Sequence, residues 1–367
     1  MDNVRVTIKV RWQDTLVLFV GTVLSFADPV TDILALVEFY RNGHKTWFGV
    51  GLFFVILPSL VFSFLYCHQF SRIHTGKLQL GALAEVLFCG CNPFSVALAR
   101  LRGFILCLKN FKKLWCKERL DDASNSEIEN LMFLATWGGM FEAVLESAPQ
   151  FIIQLYAMNV QKQKVAVIQM ISTVVSFLSL AWTFIIADQW RLLSLNSINV
   201  DIGLKAKITL YLSQLLLLGS RLLAITYFTV SFKWWIIMVL VTHSIFMAVT
   251  RCFVDVGDLK ISLDCRCECC KNCLAAPVAH CFYWIRDDGA AGATVAENTK
   301  TLIKIQWVSN ILFFIENIGM IFLYYFETEL SQDWRLPITV CVCVFSFFGA
   351  VTRIALYRRL LDDQYLH

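Results

Sequence analysis

Two aspartates four residues apart, Asp28 and Asp32, carry the strongest chemical signal in this 367-residue sequence, together with Glu142, Glu146, Gln150 and Gln154, which repeat at the same spacing. On a helix that spacing puts the side chains on one face about 6 Å apart, and the second series runs about 18 Å along the axis. Both sets lie inside apolar blocks, where an ionisable group costs roughly 2.5–3.5 kcal/mol to insert and so needs a partner or water. Like charges at this spacing repel, so the series makes sense only if it faces cations, water or polar ligand groups. Arg221, Arg251 and Arg191 are the candidate cations, while Glu316 and Asp188 add acids elsewhere. Buried ion pairs that merely orient helices are the simpler alternative for any one of these residues. The whole set exceeds what a packed bundle requires and predicts a polar path for something hydrophilic. Pro149, inside the series, frees a backbone carbonyl and predicts a kink there.

Catalytic signatures do not accompany these charges. The sequence contains no phosphate-binding glycine loop, no HExxH and no GxSxG, and Ser147 and Ser220 sit in apolar helices without a neighbouring His to activate them. The chain is therefore read as a non-enzyme without a cofactor.

The elements that must position the charges follow from composition. Hydrophobic residues make up 57% and charged residues 16%, against roughly 45–50% and about 25% in soluble domains. Mean hydropathy is +0.62. A net charge of +4, dispersed along the chain, gives no footprint for nucleic acid. Apolar blocks at 15–37, 46–66, 131–157, 165–187, 208–230, 234–253, 302–326 and 336–356 are each long enough for a hydrocarbon core of about 30 Å. The fold class is all-α: one polytopic membrane domain over 1–367 with eight crossings. A weaker stretch, 80–108, is interrupted by Asn92-Pro93 and carries Arg100 and Arg102, so segment 67–130 is read as cytosolic with an interfacial or re-entrant part.

Eight crossings leave both termini on one side. Of the 32 Lys and Arg, 23 fall on that side, counting Arg353 with the tail, and 6 on the other. Both termini are thus expected to be cytosolic. None of the 14 cysteines lies in the short outer loops, and no Asn-x-Ser/Thr acceptor occurs, as expected where no extracellular domain needs disulfides. The first apolar block is too long for a signal-peptide core and is expected to be a retained helix. Most of the blocks are 21–23 residues long, which suits the plasma membrane without excluding the endoplasmic reticulum.

The run Phe141-Glu-Ala-Val-Leu-Glu-Ser-Ala-Pro-Gln-Phe-Ile-Ile-Gln-Leu-Tyr156 resembles the signature of the XK-related family. Asp28-Pro-Val-Thr-Asp32, Trp47-Phe-Gly with Leu57-Pro-Ser59, Ser220-Arg-Leu-Leu-Ala224 and Phe314-Ile-Glu-Asn317 agree in order, so the resemblance covers essentially the whole chain. It implies eight crossings with additional re-entrant helices. It also implies phospholipid scrambling by the apoptotic members, with headgroups passing along a hydrophilic surface and no need for ATP. On this resemblance Glu142, Glu146 and Gln150 with Asp28 and Asp32 are path or core charges, opposed by Arg221. Membrane phospholipids are the implied substrate, moved so as to expose phosphatidylserine. The alternative is a scaffold that docks a cytosolic lipid-transfer protein or a single-pass membrane partner. The caspase sites of the regulated members have only loose counterparts here, Asp255-Val-Gly-Asp258 and Ile285-Arg-Asp-Asp288.

Loop 254–301 holds Cys265, Cys267, Cys269, Cys270 and Cys273. The spacing is not that of a paired zinc ribbon, and palmitoylation, a thiolate metal site and an inert loop stay open as readings. Lys109–Arg119 mixes cations with aromatics, as an interfacial helix does. Ser124-x-x-Glu127 and Ser126-x-x-Glu129 read as capping boxes opening the third block.

Overall fold

The computed structural model of this chain describes residues 12–73, 94–116, 118, 120–161, 164–195, 204–257, 295–327 and 332–362. Among them every regular element is a helix. Each of the eight apolar blocks falls on helix, and the chain is an all-α, multi-pass membrane protein. Among the described residues five helices are long and apolar enough to cross a bilayer by themselves: Trp12–Arg41, Val167–Ala187, Lys205–Phe232, Trp307–Glu327 and Trp334–Leu356. Lys45–Leu60 and Trp235–Phe246 are shorter apolar helices. Block 131–157 is broken internally by a π-helical turn and keeps its carboxylates.

The chain divides into two compact units, Met1–Ala187 and Asp188–His367. In the first, α1 (Trp12–Arg41) and α2 (Lys45–Ile73) pair through a tight turn. Gly43 adopts φ +80°, and Gly43 N–H bonds Tyr40 O while His44 N–H bonds Phe39 O. This is the glycine-dependent arrangement that satisfies the last carbonyls of a helix. The rings of Phe39 and Trp47 then meet across the turn at 5.7 Å.

Next come α3 (Ser95–Lys109) and the short α4 (Phe111–Trp115). A 15-residue helix is about 22 Å long, shorter than the hydrocarbon core. Helix α3 runs antiparallel to α1: Phe94 stacks on Phe26, Phe104 meets Phe19, and beyond the helix Trp115 meets Trp12. Its N-terminal end therefore reaches the middle of α1. Leu18, Cys107, Leu114, Leu120 and Ile128 form the apolar cluster that holds α1, α3, α4 and the following helix together. Phe111 and Trp115 stay exposed beside Lys112 and Lys113.

Helix α5 (Asp122–Glu142) starts at the N-cap Asp121, whose carboxylate accepts from Ser124 N–H at 3.0 Å. This corrects the expected capping boxes, since Glu127 reaches Arg102 at 2.5 Å instead. The helix continues through a π turn (Ala143–Ser147) into α6 (Ala148–Val160). Pro149 lacks an N–H and its ring crowds the carbonyl four residues back, so the chain widens by one residue per turn just ahead of it. Ala148 N–H accordingly bonds Ala143 O, five residues back. The unit closes with the part of α7 (Val167–Leu195) that lies before Asp188.

The second unit packs α8 (Leu204–Phe232), α10 (Val295–Glu327) and α11 (Gln332–Asp362) against one another, with α9 (Trp235–Gly257) on α8. Arg353, assigned to the tail in the charge tally, is buried in α11 and donates to Gln214 Oε1 at 2.9 Å. Removing it from that tally leaves the charge bias toward the terminal side intact.

Candidate functional site

Helices α1, α5 to α7 and the π turn line a buried polar seam with Asp28 and Asp32 at its centre, 4% and 0% exposed. Their four-residue spacing turns both carboxylates toward α7, which presents Ser172, Ser176 and Ser179 on one face. Ser147 Oγ donates to Asp28 Oδ2 at 2.6 Å, and Ser176 Oγ lies 2.7 Å from Asp28 Oδ1 and 3.0 Å from Asp32 Oδ1. One hydroxyl proton serves only one carboxylate at a time. Asp32 Oδ1 also accepts from Ser172 Oγ at 2.5 Å and Gln154 Nε2 at 3.1 Å, whereas Asp32 Oδ2 is buried and accepts from none of the described residues.

The expected stripe Glu142, Glu146, Gln150, Gln154 is present, but its members do different things. Gln154 is fully engaged: its amide nitrogen also donates to Ser172 Oγ at 2.8 Å, and its oxygen accepts from Thr173 Oγ1 at 3.0 Å. Gln150 Nε2 donates to Gly51 O at 2.7 Å. A Cβ added at Gly51 would strike Leu36 Cδ2, so glycine is what lets α2 come this near. Gln150 Oε1 is buried without a hydrogen bond among the described residues. So is Glu146 Oε1, on a residue only 4% exposed within the π turn. Glu142 is half-buried, and the cation whose charge it feels is Arg100.

Arg100 is the residue the sequence reading missed. It is 3% exposed, donates to Gly21 O at 3.2 Å and to Ser25 Oγ, and so brings a guanidinium to the middle of α1. Sequence windows treat an arginine as a reason against burial, which left it in an interfacial segment. The serines were also passed over, although Ser172, Ser176, Ser179 and Thr183 recur at helical spacing.

Arg221, expected to oppose the acidic stripe, makes a salt bridge with Glu316 at 2.8 Å. The bridge belongs to a network within the second unit. His243 Nδ1 lies 2.8 Å from both Glu316 oxygens, Arg221 Nη1 donates to Asn317 Oδ1 at 3.2 Å, and Asn317 Nδ2 donates to Ser220 and Ser346 at 3.3 Å. Phe313 supports the guanidinium at 4.9 Å from its ring centre and stacks on His243. Asp188 and Arg191 lie on α7 and Arg251 on α9, their side chains outside the described residues. Cys265, Cys267, Cys269, Cys270, Cys273, Asp258 and Asp288 also lie outside them.

A seam of carboxylates, serines and amides in apolar helices can solvate a charged headgroup or an ion. The comparisons with known proteins agree with a membrane role. Over 229 residues the chain is 28% identical to XK-related protein 8 of Gasterosteus aculeatus, covering 59% of this chain and 54% of that protein. To XK-related protein 8 of Tetraodon nigroviridis it is 27% identical over 233 residues, with the same coverage. The chain thus spans about half the length of the relatives it matches. A model of the family described as XK-related protein matches residues 16–361, from within α1 to the end of α11. With nearly every described helix inside that match, the chain belongs to the XK-related family.

Proposed function

We infer that this protein is a phospholipid scramblase, moving lipids between leaflets down their gradient with headgroups in the first unit's polar seam. The observation that carries the reading is the set of buried acceptors that no described residue satisfies, Asp32 Oδ2, Glu146 Oε1 and Gln150 Oε1. In hydrocarbon an unsatisfied polar group costs several kcal/mol, so a structural seam would be expected to close. Buried acceptors that no described donor satisfies suit the ammonium groups of zwitterionic and serine headgroups, with Arg100 near the seam to balance their phosphates. The XK-related resemblance supports the same activity, and with it the plasma membrane, cytosolic termini and phosphatidylserine exposure as the setting.

The test is dithionite quenching of fluorescent lipids in proteoliposomes of the purified protein, before and after limited proteolysis. Quenching beyond the outer-leaflet half, absent from protein-free vesicles, supports scrambling, and dependence on proteolysis would mark a latent protein held by its loops. Quenching that stops at half in both states, with a single-pass or lipid-transfer partner also supplied, would instead favour a docking scaffold.

A further inference from the structure

Helices α10 and α11 enclose a groove of about 760 Å³, lined by Trp307, Asn310, Phe314, Phe347, Arg358 and Arg359 among others. The volume falls in the range of ligand sites, roughly 300–1,000 Å³. We propose that this groove retains one anionic glycerophospholipid from the leaflet on the side of the chain's termini, with an acyl chain along the aromatic wall and the phosphate at Arg358 and Arg359. The proposal rests on the multi-pass reading but not on transport: none of the acids of the first unit's seam lines this groove.

Three observations select that occupant. The wall is apolar and opens beside exposed Trp307, an aromatic of the kind that sits at headgroup level. Arg358 and Arg359 stand exposed in the last turns of α11, and guanidinium groups match phosphate oxygens in a fork that lysine cannot supply. Deeper in, Asn310 is 4% exposed, and its Nδ2 finds no acceptor among the described residues. That donor fits an ester carbonyl or a phosphate oxygen. At these polar positions the groove offers cations and an amide donor, so an acceptor-rich anion with an apolar tail is what it recognises.

The experiment uses full-length protein in phosphatidylcholine vesicles carrying trace photoactivatable phosphatidylserine or photoactivatable phosphatidylcholine, with crosslinked peptides mapped by mass spectrometry. Phosphatidylserine is expected to label residues 307–314 and 347–359 several-fold more than phosphatidylcholine does. Arg358→Gln with Arg359→Gln should lower that labelling roughly 5- to 30-fold, about one surface cation's attraction each. Should the double variant fold poorly, raising the salt on the native protein to about 1 M shortens screening to about 3 Å and is expected to erase the preference. Equal labelling by both lipids would mean ordinary lipid contact and overturn the proposal. So would labelling that rises several-fold once residues 363–367 are removed, which would make the chain's own end the occupant. Dithionite quenching of the same vesicles reads transport separately. Selective labelling without transport keeps the groove and removes the scramblase reading, whereas transport without selective labelling does the reverse.

Discussion

Glu146→Gln is the substitution that most directly probes the open seam. The side chain keeps its shape, so the change removes charge and one acceptor without opening a cavity. Glu142 and Asp28 raise the electrostatic burden on Glu146. Burial weighs on a charge there most, and the repulsion between two unit charges about 6 Å apart, about 3 kcal/mol at an effective dielectric of 20, is the upper bound on what Glu142 adds. Its Oε1 has no partner among the described residues, so neutralising it breaks no hydrogen bond to them at that oxygen. The variant should therefore melt at or above the native temperature. Transport should move the other way. A hydrogen bond to a charged group contributes about 1.5–3 kcal/mol, so losing one from the path should slow lipid flux roughly 10- to 150-fold. Thermal unfolding of purified protein and dithionite quenching read the two quantities independently. A folded variant with native flux would remove Glu146 from the path. A variant destabilised by more than about 2 kcal/mol would refute the bare acceptor, because it would reveal a structural partner.

Arg100→Met should destabilise the first unit by about 3–5 kcal/mol, since it strips a buried cation from Gly21 O, Ser25 and the nearby Glu142; unfolding in detergent measures it. Glu316→Gln leaves Arg221 buried without its carboxylate and should cost a similar 3–5 kcal/mol, in contrast to Glu146→Gln in the same assay. Gly349→Ala should cost about 1–3 kcal/mol, because its Cβ would stand 2.9 Å from the backbone nitrogen of Leu217, which cannot rotate away. Asp121 is held below its ordinary carboxyl range by its hydrogen bonds with Ser124. Its support of the α5 N-terminus should be complete above about pH 4 and fade as pH falls through the depressed value, and Asp121→Ala should abolish that step in hydrogen exchange of the first turn.

Helical periodicity made part of this architecture readable in advance. Asp28 and Asp32 share a face because a four-residue spacing allows nothing else, and the structure turns both onto α7. The apolar blocks located the helices because crossing a bilayer sets a minimum length. Pairing was not readable. Arg221 had several acids to choose from, and its choice of Glu316 depends on how α8 and α10 pack. Arg100 looked unfit for burial until Gly21 and Ser25 on α1 supplied its acceptors. Pro149 announced a distortion, but a proline can bend a helix or widen it, and neighbours decide which. Here the widening coincides with Glu146.

The two polar networks show how a membrane protein treats charge it needs for folding and charge it keeps for another purpose. In the second unit Arg221 and His243 converge on Glu316, Asn317 ties the cluster to Ser220 and Ser346, and Phe313 covers it. That arrangement brings two basic groups to one acid. The first unit holds Asp28, Asp32, Glu142 and Glu146, and among the described residues Arg100 is the cation whose charge reaches one of them, Glu142. An apolar replacement at Glu146 would remove a buried acid at once, since none of the described residues donates to its Oε1. Packing alone would therefore have disposed of that carboxylate. Its place in a π turn, beside a Gln150 carbonyl that also accepts from none of the described residues, is what the proposed headgroup path would require.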